Sequence, residues 1–340
     1  MAKVVTFGEL MLRLSPAGYQ RFVQASAFDA TYGGAEANVA VSLAQFGVEV
    51  DYVTKLPANP IGEAAFNELR RYGVGTQTII RGGERLGIYF AEKGASQRGS
   101  QVVYDRFGSS FQQSMPDEWD WKTILTGAHW FHFTGITPAL GENVAQACLE
   151  ACKVAHELGI TVSCDLNYRA KLWSREHAKD TMSELCRHVD VCIANEEDAY
   201  SVFDIKTDQN ALLFGKLDVD AYRKTAETMR ERFNFKKVAI TLRKSFSASD
   251  NSWSALLLDD EGLYHSREYS IHIVDRVGGG DAFGGGLIYG LANGMTGKDA
   301  LEFGVAAGCL KQTIEGDFNL VTVSEVKKLV GGDGSGRVMR

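Results

Sequence analysis

The sequence has no apolar stretch approaching the length of a membrane span. Its first residues, Met-Ala-Lys-Val-Val-Thr-Phe-Gly, run straight into a strand-like segment. They lack the charged start, apolar core and small-residue cleavage site of a signal peptide, so a cytoplasmic location is expected. No basic cluster is dense enough to track a nucleic-acid backbone, and the net charge is −7, so no such partner is expected. None of the six cysteines forms a Cys-x-x-Cys pair. Cys148 and Cys152 share one face of an expected helix without a nearby His pair, so all six read as buried, reduced thiols. Repeats and low-complexity tracts are absent. Proline is scarce, at 5 residues against 36 glycines, which suits many tight strand–helix turns. The 340 residues are 45% hydrophobic, enough for one large domain or two small ones.

What is present is a rhythm of strand and helix. Strands are expected at Lys3–Gly8, Val50–Lys55, Trp130–Thr134, Thr161–Asp165, Val191–Ala194 and Val238–Leu242. Helices are expected at Asn38–Phe46, Ile61–Tyr72, Asn143–Leu158, Ser174–His188, Val219–Phe233, Ala282–Asn293 and Lys298–Thr313. Short apolar strands alternating with helices imply an α/β fold with a mostly parallel sheet covered on both faces. Ligands then sit at the carboxyl ends of the strands. Two stretches, Leu12–Gly34 and Leu86–Arg106, carry no helical period. Gly87–Glu92 and Gln101–Arg106 read as a hairpin around the polar turn Lys93–Ser100. Together these segments form either a small lid sheet or ordinary surface hairpins. Residues 1–330 are expected as one domain, followed by a disordered tail, Gly331–Arg340.

The most telling run is Asp275-Arg-Val-Gly-Gly-Gly-Asp-Ala-Phe-Gly-Gly-Gly286. Glycines followed by an apolar helix make an anion-binding helix N-terminus, because free amides and the helix dipole meet there. Asp281 at that turn either caps the helix or acts on a proton beside a phosphate. A second glycine pair, Gly33-Gly34, precedes Asn38, which can cap a helix or bond a ligand hydroxyl.

The early Gly-Gly-x-x-x-Asn and the late Asp-x-x-Gly-x-Gly-Asp-x-Phe resemble the two signatures of the ribokinase, or PfkB-type, carbohydrate kinases. The resemblance runs from the first strand to about Asn319. It implies a three-layer α/β/α sandwich with a β-sheet lid, and ATP-dependent phosphorylation of a sugar hydroxyl. It also implies that Gly278 and Gly280, with Gly279 between them where Ala is usual, form the anion hole, and that Asp281 is the general base. Backbone amides at 278–281 suit phosphoryl transfer, which asks for positioning and charge stabilisation. Asn195-Glu196-Glu197-Asp198 resembles the family's Asn-x-x-Glu motif for Mg²⁺ and ATP phosphates, with Asp198 at the last position. Asn195 and Asp198 are thereby implied as metal-organising residues acting through water, with Glu196 or Glu197 as substitutes or as a solvated helix start. Thr241 and Arg243 stand where the family contacts the nucleotide, although the usual glycine turn is replaced by Arg-Lys-Ser-Phe. Gly308, Leu310 and Glu315–Asn319 resemble the region near the adenine.

For the substrate, Asp165-Leu-Asn-Tyr-Arg169 matches a family form frequent in fructokinases and 2-keto-3-deoxygluconate kinases. Tyr104 and Arg106 are two apart on a lid strand and share a face. An Arg fork suits a carboxylate, and a neutral sugar needs no such pair. The resemblance is greatest to the 2-keto-3-deoxygluconate kinases. It implies that Gly34, Tyr89, Tyr104, Arg106 and Arg169 hold the keto acid and that Asn38 bonds a hydroxyl. A lid-surface salt bridge is the other role open to Arg106. The alternatives are a fructokinase or other keto-sugar kinase, and a non-catalytic sugar-acid or nucleotide binder. A homo-oligomer through the lid sheet is expected by analogy.

Overall fold

The computed structural model describes residues 2–195, 197–206 and 219–336. Its main element is a nine-stranded sheet. Glu49–Val53, Lys3–Phe7, Trp130–Thr134, Thr161–Asp165, Val191–Asn195 and Lys237–Ser245 lie side by side and parallel. Asp250–Leu258 then pairs antiparallel with Lys237–Ser245, and Leu263–His265 and Tyr269–His272 extend it. The strand Val191–Asn195 shows why helices must cover both faces. Cys192 and Ala194 join one buried core, whereas Ile193 points into another, as the two-residue period of a strand requires.

The first core is covered by the helices Glu142–Glu157, Arg175–Leu185 and Val219–Phe233. The opposite face carries Ala35–Gln45, Gly279–Ala292 and Gly297–Lys311. The glycine content of Gly279–Ala292 argues against a helix on propensity alone. Packing overrides it. A Cβ at Gly286 would lie 2.8 Å from Gly304 Cα, so glycine lets the two helix backbones close on each other.

Most expected elements form, with ends shifted by a few residues. The first helix begins at Ala35 rather than Asn38. Ser174–His188 divides into a helix, Arg175–Leu185, and a final tight turn, Cys186–His188. The three antiparallel strands after residue 249 have no counterpart in the sequence-based expectations. All six cysteines are buried and unpaired. Of the expected tail, residues 337–340 lie outside the described residues, as does Glu196. Among the described residues, no helix is long and apolar enough to cross a membrane.

The two stretches without helical period build a separate four-stranded sheet, in the order Asp29–Gly33, Met11–Ser15, Gly87–Glu92, Gln101–Asp105. Arg13 and Tyr89 are cross-strand partners, as are Tyr89 and Tyr104. Arg13 reaches out of this sheet into the main body. Its Nη1 lies 2.7 Å from Asp317 Oδ1, and its Nη2 lies 2.7 Å from Asp275 Oδ2. All three side chains are nearly fully buried.

Candidate active site

Gly278 has a left-handed backbone, φ +81°, and a Cβ there would stand 2.1 Å from the Asp317 carbonyl oxygen. Conformation and space therefore both demand glycine. This turn opens the helix Gly279–Ala292 without any side-chain cap. The Gly279 N–H donates to Arg276 O at 3.4 Å within the turn, whereas the amides of Gly280 and Asp281 have no intrahelical acceptor and are left to an incoming group. A Cβ on Gly280 would meet nothing within 4 Å. The opening at this turn, the free amides and the helix dipole together favour an anion.

Asp281 sits in that first turn and does not cap the helix. Its Oδ2 instead accepts from Asn38 Nδ2 at 2.6 Å. Asn38 is held by the start of its own helix. Its backbone N–H donates to Gly34 O at 2.7 Å, and its Oδ1 accepts from Gly34 N at 3.3 Å. With the amide oxygen so occupied, the amide nitrogen must face Asp281. Burial raises the Asp281 carboxyl to about 6, and the Asn38 bond opposes that rise.

Both residues line a cleft of about 560 Å³ between the main sheet and the small sheet. That volume lies within the roughly 300–1,000 Å³ of small-molecule sites. Gly34, Asn38, Tyr89, Tyr104, Arg106, Arg169, Asn195, Thr241, Arg243, Gly278, Gly280 and Asp281 all contribute to its wall. The cleft stands at the carboxyl ends of the parallel strands, where α/β sheets bind ligands.

On the lid side, the Tyr89 hydroxyl donates to Asp317 Oδ2 at 2.5 Å. Tyr104 is 42% exposed, and the Arg106 guanidinium lies over its ring at 5.6 Å. Arg106 is buried, and its Nε and Nη2 both donate to Glu9 Oε2. Ser109 Oγ donates to the other Glu9 oxygen. The ion pair weighed for Arg106 thus exists, but at the cleft wall rather than on the lid surface. One edge of the Arg106 fork is occupied by Glu9, and Nη1 is the nitrogen outside that pair. Arg169 is exposed, and its charge opposes the rise of both Asp281 and Asp165. Burial, helped by Asp198 and Asp281, raises the Asp165 carboxyl well above its ordinary value.

On the opposite side, the Arg243 guanidinium stacks 5.1 Å from the Trp253 ring centre. Arg276 Nε is buried without a hydrogen-bond partner among the described residues. The acidic motif folds back on the backbone. Asn195 Oδ1 accepts from Glu197 N and Asp198 N. Asp198 Oδ2 accepts from Asn195 N at 2.9 Å, and its Oδ1 accepts from Tyr168 N at 3.2 Å. Asp198 is 2% exposed and ties the motif to the Tyr168 turn, which separates it from the cleft wall formed by Asn195 and Glu197. Gly279 is buried against Gln312. Gly308 also lies behind the wall, where a Cβ would meet Gly279 O at 2.9 Å and Trp253 Nε1 at 3.1 Å. Its place is helix packing.

The structure adds Glu9, Asn167, Trp253, Arg276 and Asp317 to the cleft. Glu9 follows the first strand at its carboxyl end, a position that sequence reasoning could have flagged. Asn167 adopts a left-handed φ of 41° within the Asp165–Arg169 segment. Arg276 lies inside the Gly-rich run itself. Asp317 lies in the Glu315–Asn319 segment that resemblance placed near the adenine, but nothing in the sequence marks its bonds to Arg13 and Tyr89 of the small sheet. Arg169, Arg243, the orphan Arg276 Nε and the open helix N-terminus are a donor set suited to polyphosphate. Glu197 offers carboxylate oxygens of the kind Mg²⁺ takes through water, and Asn195, whose Oδ1 is taken by Glu197 N and Asp198 N, holds that turn in place.

The pfkB family carbohydrate kinase model matches residues 1–322. A 2-dehydro-3-deoxygalactonokinase of Haloferax volcanii is 34% identical over 98% of this chain and 98% of its own. A 2-dehydro-3-deoxygluconokinase of Bacillus subtilis is 28% identical over 93% and 91%. The crystal structure of 2-dehydro-3-deoxygluconokinase from Thermotoga maritima superposes with a TM-score of 0.94 at 51% identity, covering 97% of this chain and 98% of that one. The nine-stranded sheet, its two helical layers and its small second sheet are thus the ribokinase-like sandwich. The chain belongs to the pfkB family of carbohydrate kinases, and it is a sugar kinase.

Proposed function

We propose that this kinase transfers the γ-phosphoryl group of ATP to the terminal hydroxyl of 2-keto-3-deoxygluconate, giving the 6-phosphate. The observation that carries the proposal is the Asn38–Asp281 pair. It is set in an uncapped helix N-terminus and faces a cleft shared with lid residues Tyr104 and Arg106. The names of the relatives support the acid substrate: two are deoxygluconokinases and one is a deoxygalactonokinase.

In the proposed reaction Asp281 takes the proton of the hydroxyl as its oxygen bonds to phosphorus and the bond to ADP breaks. Amides of Gly280 and Asp281 hold the moving phosphoryl group, with Gly279 setting the turn behind them. Asn38 fixes the direction in which the Asp281 carboxylate points. Mg²⁺ bound with the nucleotide would neutralise phosphate charge, held through water by Glu197, whose turn Asn195 fixes. Arg106, Arg169, Arg243 and Arg276 line the cleft where the two anionic substrates would lie. Arg169 and the unoccupied edge of Arg106 would take the sugar carboxylate, and the lid sheet would exclude water. The outer lid surface, with Val103 51% and Phe107 85% exposed, is the proposed face for pairing with a second copy in the cytoplasm.

ADP release with ATP and Mg²⁺ tests the substrate across 2-keto-3-deoxygluconate, its galactonate epimer, fructose, ribose and gluconate. Turnover confined to the keto-deoxy acids is expected. Preference for fructose would keep the phosphoryl site and overturn the substrate. The galactonate epimer is the second possibility, favoured by the Haloferax volcanii relative.

A further inference from the structure

One buried cation beneath the Gly-rich turn has no part in the reaction as described so far. Lys311, near the end of the helix Gly297–Lys311, is 0% exposed. Its Nζ lies 3.2 Å from Asp275 O, 3.3 Å from Ile314 O and 2.6 Å from Gly316 O. An ammonium has three N–H groups, and each meets a carbonyl here. The carbonyls come from two segments. Asp275 begins the Gly-rich run, and Ile314 and Gly316 belong to the loop that ends in Asp317. That loop presses on the turn, because a Cβ at Gly278 would meet Asp317 O. The lysine stem runs just below, with Cε 3.2 Å from that same Cβ position. Asp275 Oδ2 further accepts from Gly316 N at 3.2 Å, which closes the join.

We propose that Lys311 is a tethered cation filling a carbonyl cage, and that it positions the Gly278 turn and adds positive charge beneath the arriving phosphoryl group. This rests on the phosphoryl-transfer role proposed for that turn. An uncharged side chain would leave three carbonyl dipoles converging on an empty point, a costly arrangement away from water. Burial, aided by the nearby Arg13 charge, lowers Lys311 from its ordinary value, and Asp275, Asp317 and Asp281 oppose that fall. Lys311 in turn opposes the rise of the Asp281 carboxyl. Its field therefore reaches the reacting end of the helix.

A cage of this kind should accept a free cation of similar size once the lysine is shortened. The test compares wild type, Lys311→Ala and Lys311→Met for turnover in tetramethylammonium buffer, with and without KCl or NH4Cl. Wild type should be indifferent to the added ion. Both variants should lose about tenfold or more in kcat, since one preorganised charge is removed, with KM for the sugar little changed. Lys311→Ala should regain turnover with NH4⁺ or K⁺. Lys311→Met, whose side chain still fills the cage, should not. A folded Lys311→Ala that is fully active without the ion, or equally impaired with and without it, overturns the proposal. If that variant melts early, its melting temperature carries the same decision. A rise with NH4⁺ or K⁺ that wild type lacks supports the cage, and no such rise overturns it. A wrong sugar lowers turnover of all three proteins in parallel, so failure of the substrate assignment leaves the ion-dependent ratio unchanged.

Discussion

Asn38 Nδ2 stands 2.6 Å from Asp281 Oδ2, although the two residues are 243 apart in the chain. The amide stabilises the charged form of a carboxyl that burial holds near 6. The pair sets a pH dependence. The pH profile of kcat/KM reports groups in the free enzyme. It should rise with an acid limb near pH 6 as Asp281 loses its proton. Asn38→Ala removes the bond that lowers this value, so its limb should move to higher pH. A limb that stays in place would detach Asn38 from the ionisation of Asp281.

Arg13 joins the lid sheet to the Gly-rich turn through Asp275 and Asp317, with 2.7 Å on each side. Arg13→Met would leave two buried carboxylates without their cation. Breaking buried pairs in this way costs about 3–5 kcal/mol. Urea unfolding should register a loss of that order. Replacing the exposed Arg71, which pairs weakly with Glu68 at 3.7 Å, should cost less than about 1 kcal/mol. Equal effects would mean that the buried network contributes nothing special.

Glu36 offers a stability test separate from catalysis. It is buried, and Thr134 N, Thr134 Oγ1 and Thr137 Oγ1 all donate to its Oε1. Burial outweighs those bonds and raises the carboxyl from 4.5 to about 7. Between those values the folded protein keeps a proton that the unfolded chain has lost. Stability from this group is therefore complete below about pH 4.5 and lost as pH rises through about 7. Glu36→Gln removes the titration and keeps an acceptor. It should melt near wild type at pH 5 and above it at pH 8, by up to about 3 kcal/mol. The opposite order at pH 8 would show that the ionised carboxylate is the form the fold prefers.

Much of this architecture is legible in the sequence because local chemistry writes it there. Trp130–Thr134 and Thr161–Asp165 form with the expected bounds, and the helix that runs to Phe233 ends where expected, since apolar runs and helical periods are local signals. Asp281 and Gly278 stand out because a helix N-terminus needs specific residues at fixed offsets. The antiparallel strands after residue 249 escape notice because Asp250–Leu258, buried along nearly its whole length, shows no alternation. The Glu9–Arg106 pair escapes for another reason. It spans 97 residues, and nothing near Glu9 in sequence announces its partner. Gly308 shows the converse. Its resemblance suggested a nucleotide contact, whereas close helix packing accounts for the absent side chain.

The measurement that tests the central claim most directly is single-turnover phosphoryl transfer by Asp281→Asn with saturating ATP, Mg²⁺ and 2-keto-3-deoxygluconate. Asparagine keeps the shape and cannot accept the proton, so the variant should fold and melt as wild type does. Its chemical step should slow by roughly 10²–10⁴-fold. A folded Asp281→Asn that transfers the phosphoryl group at the wild-type rate would contradict the account.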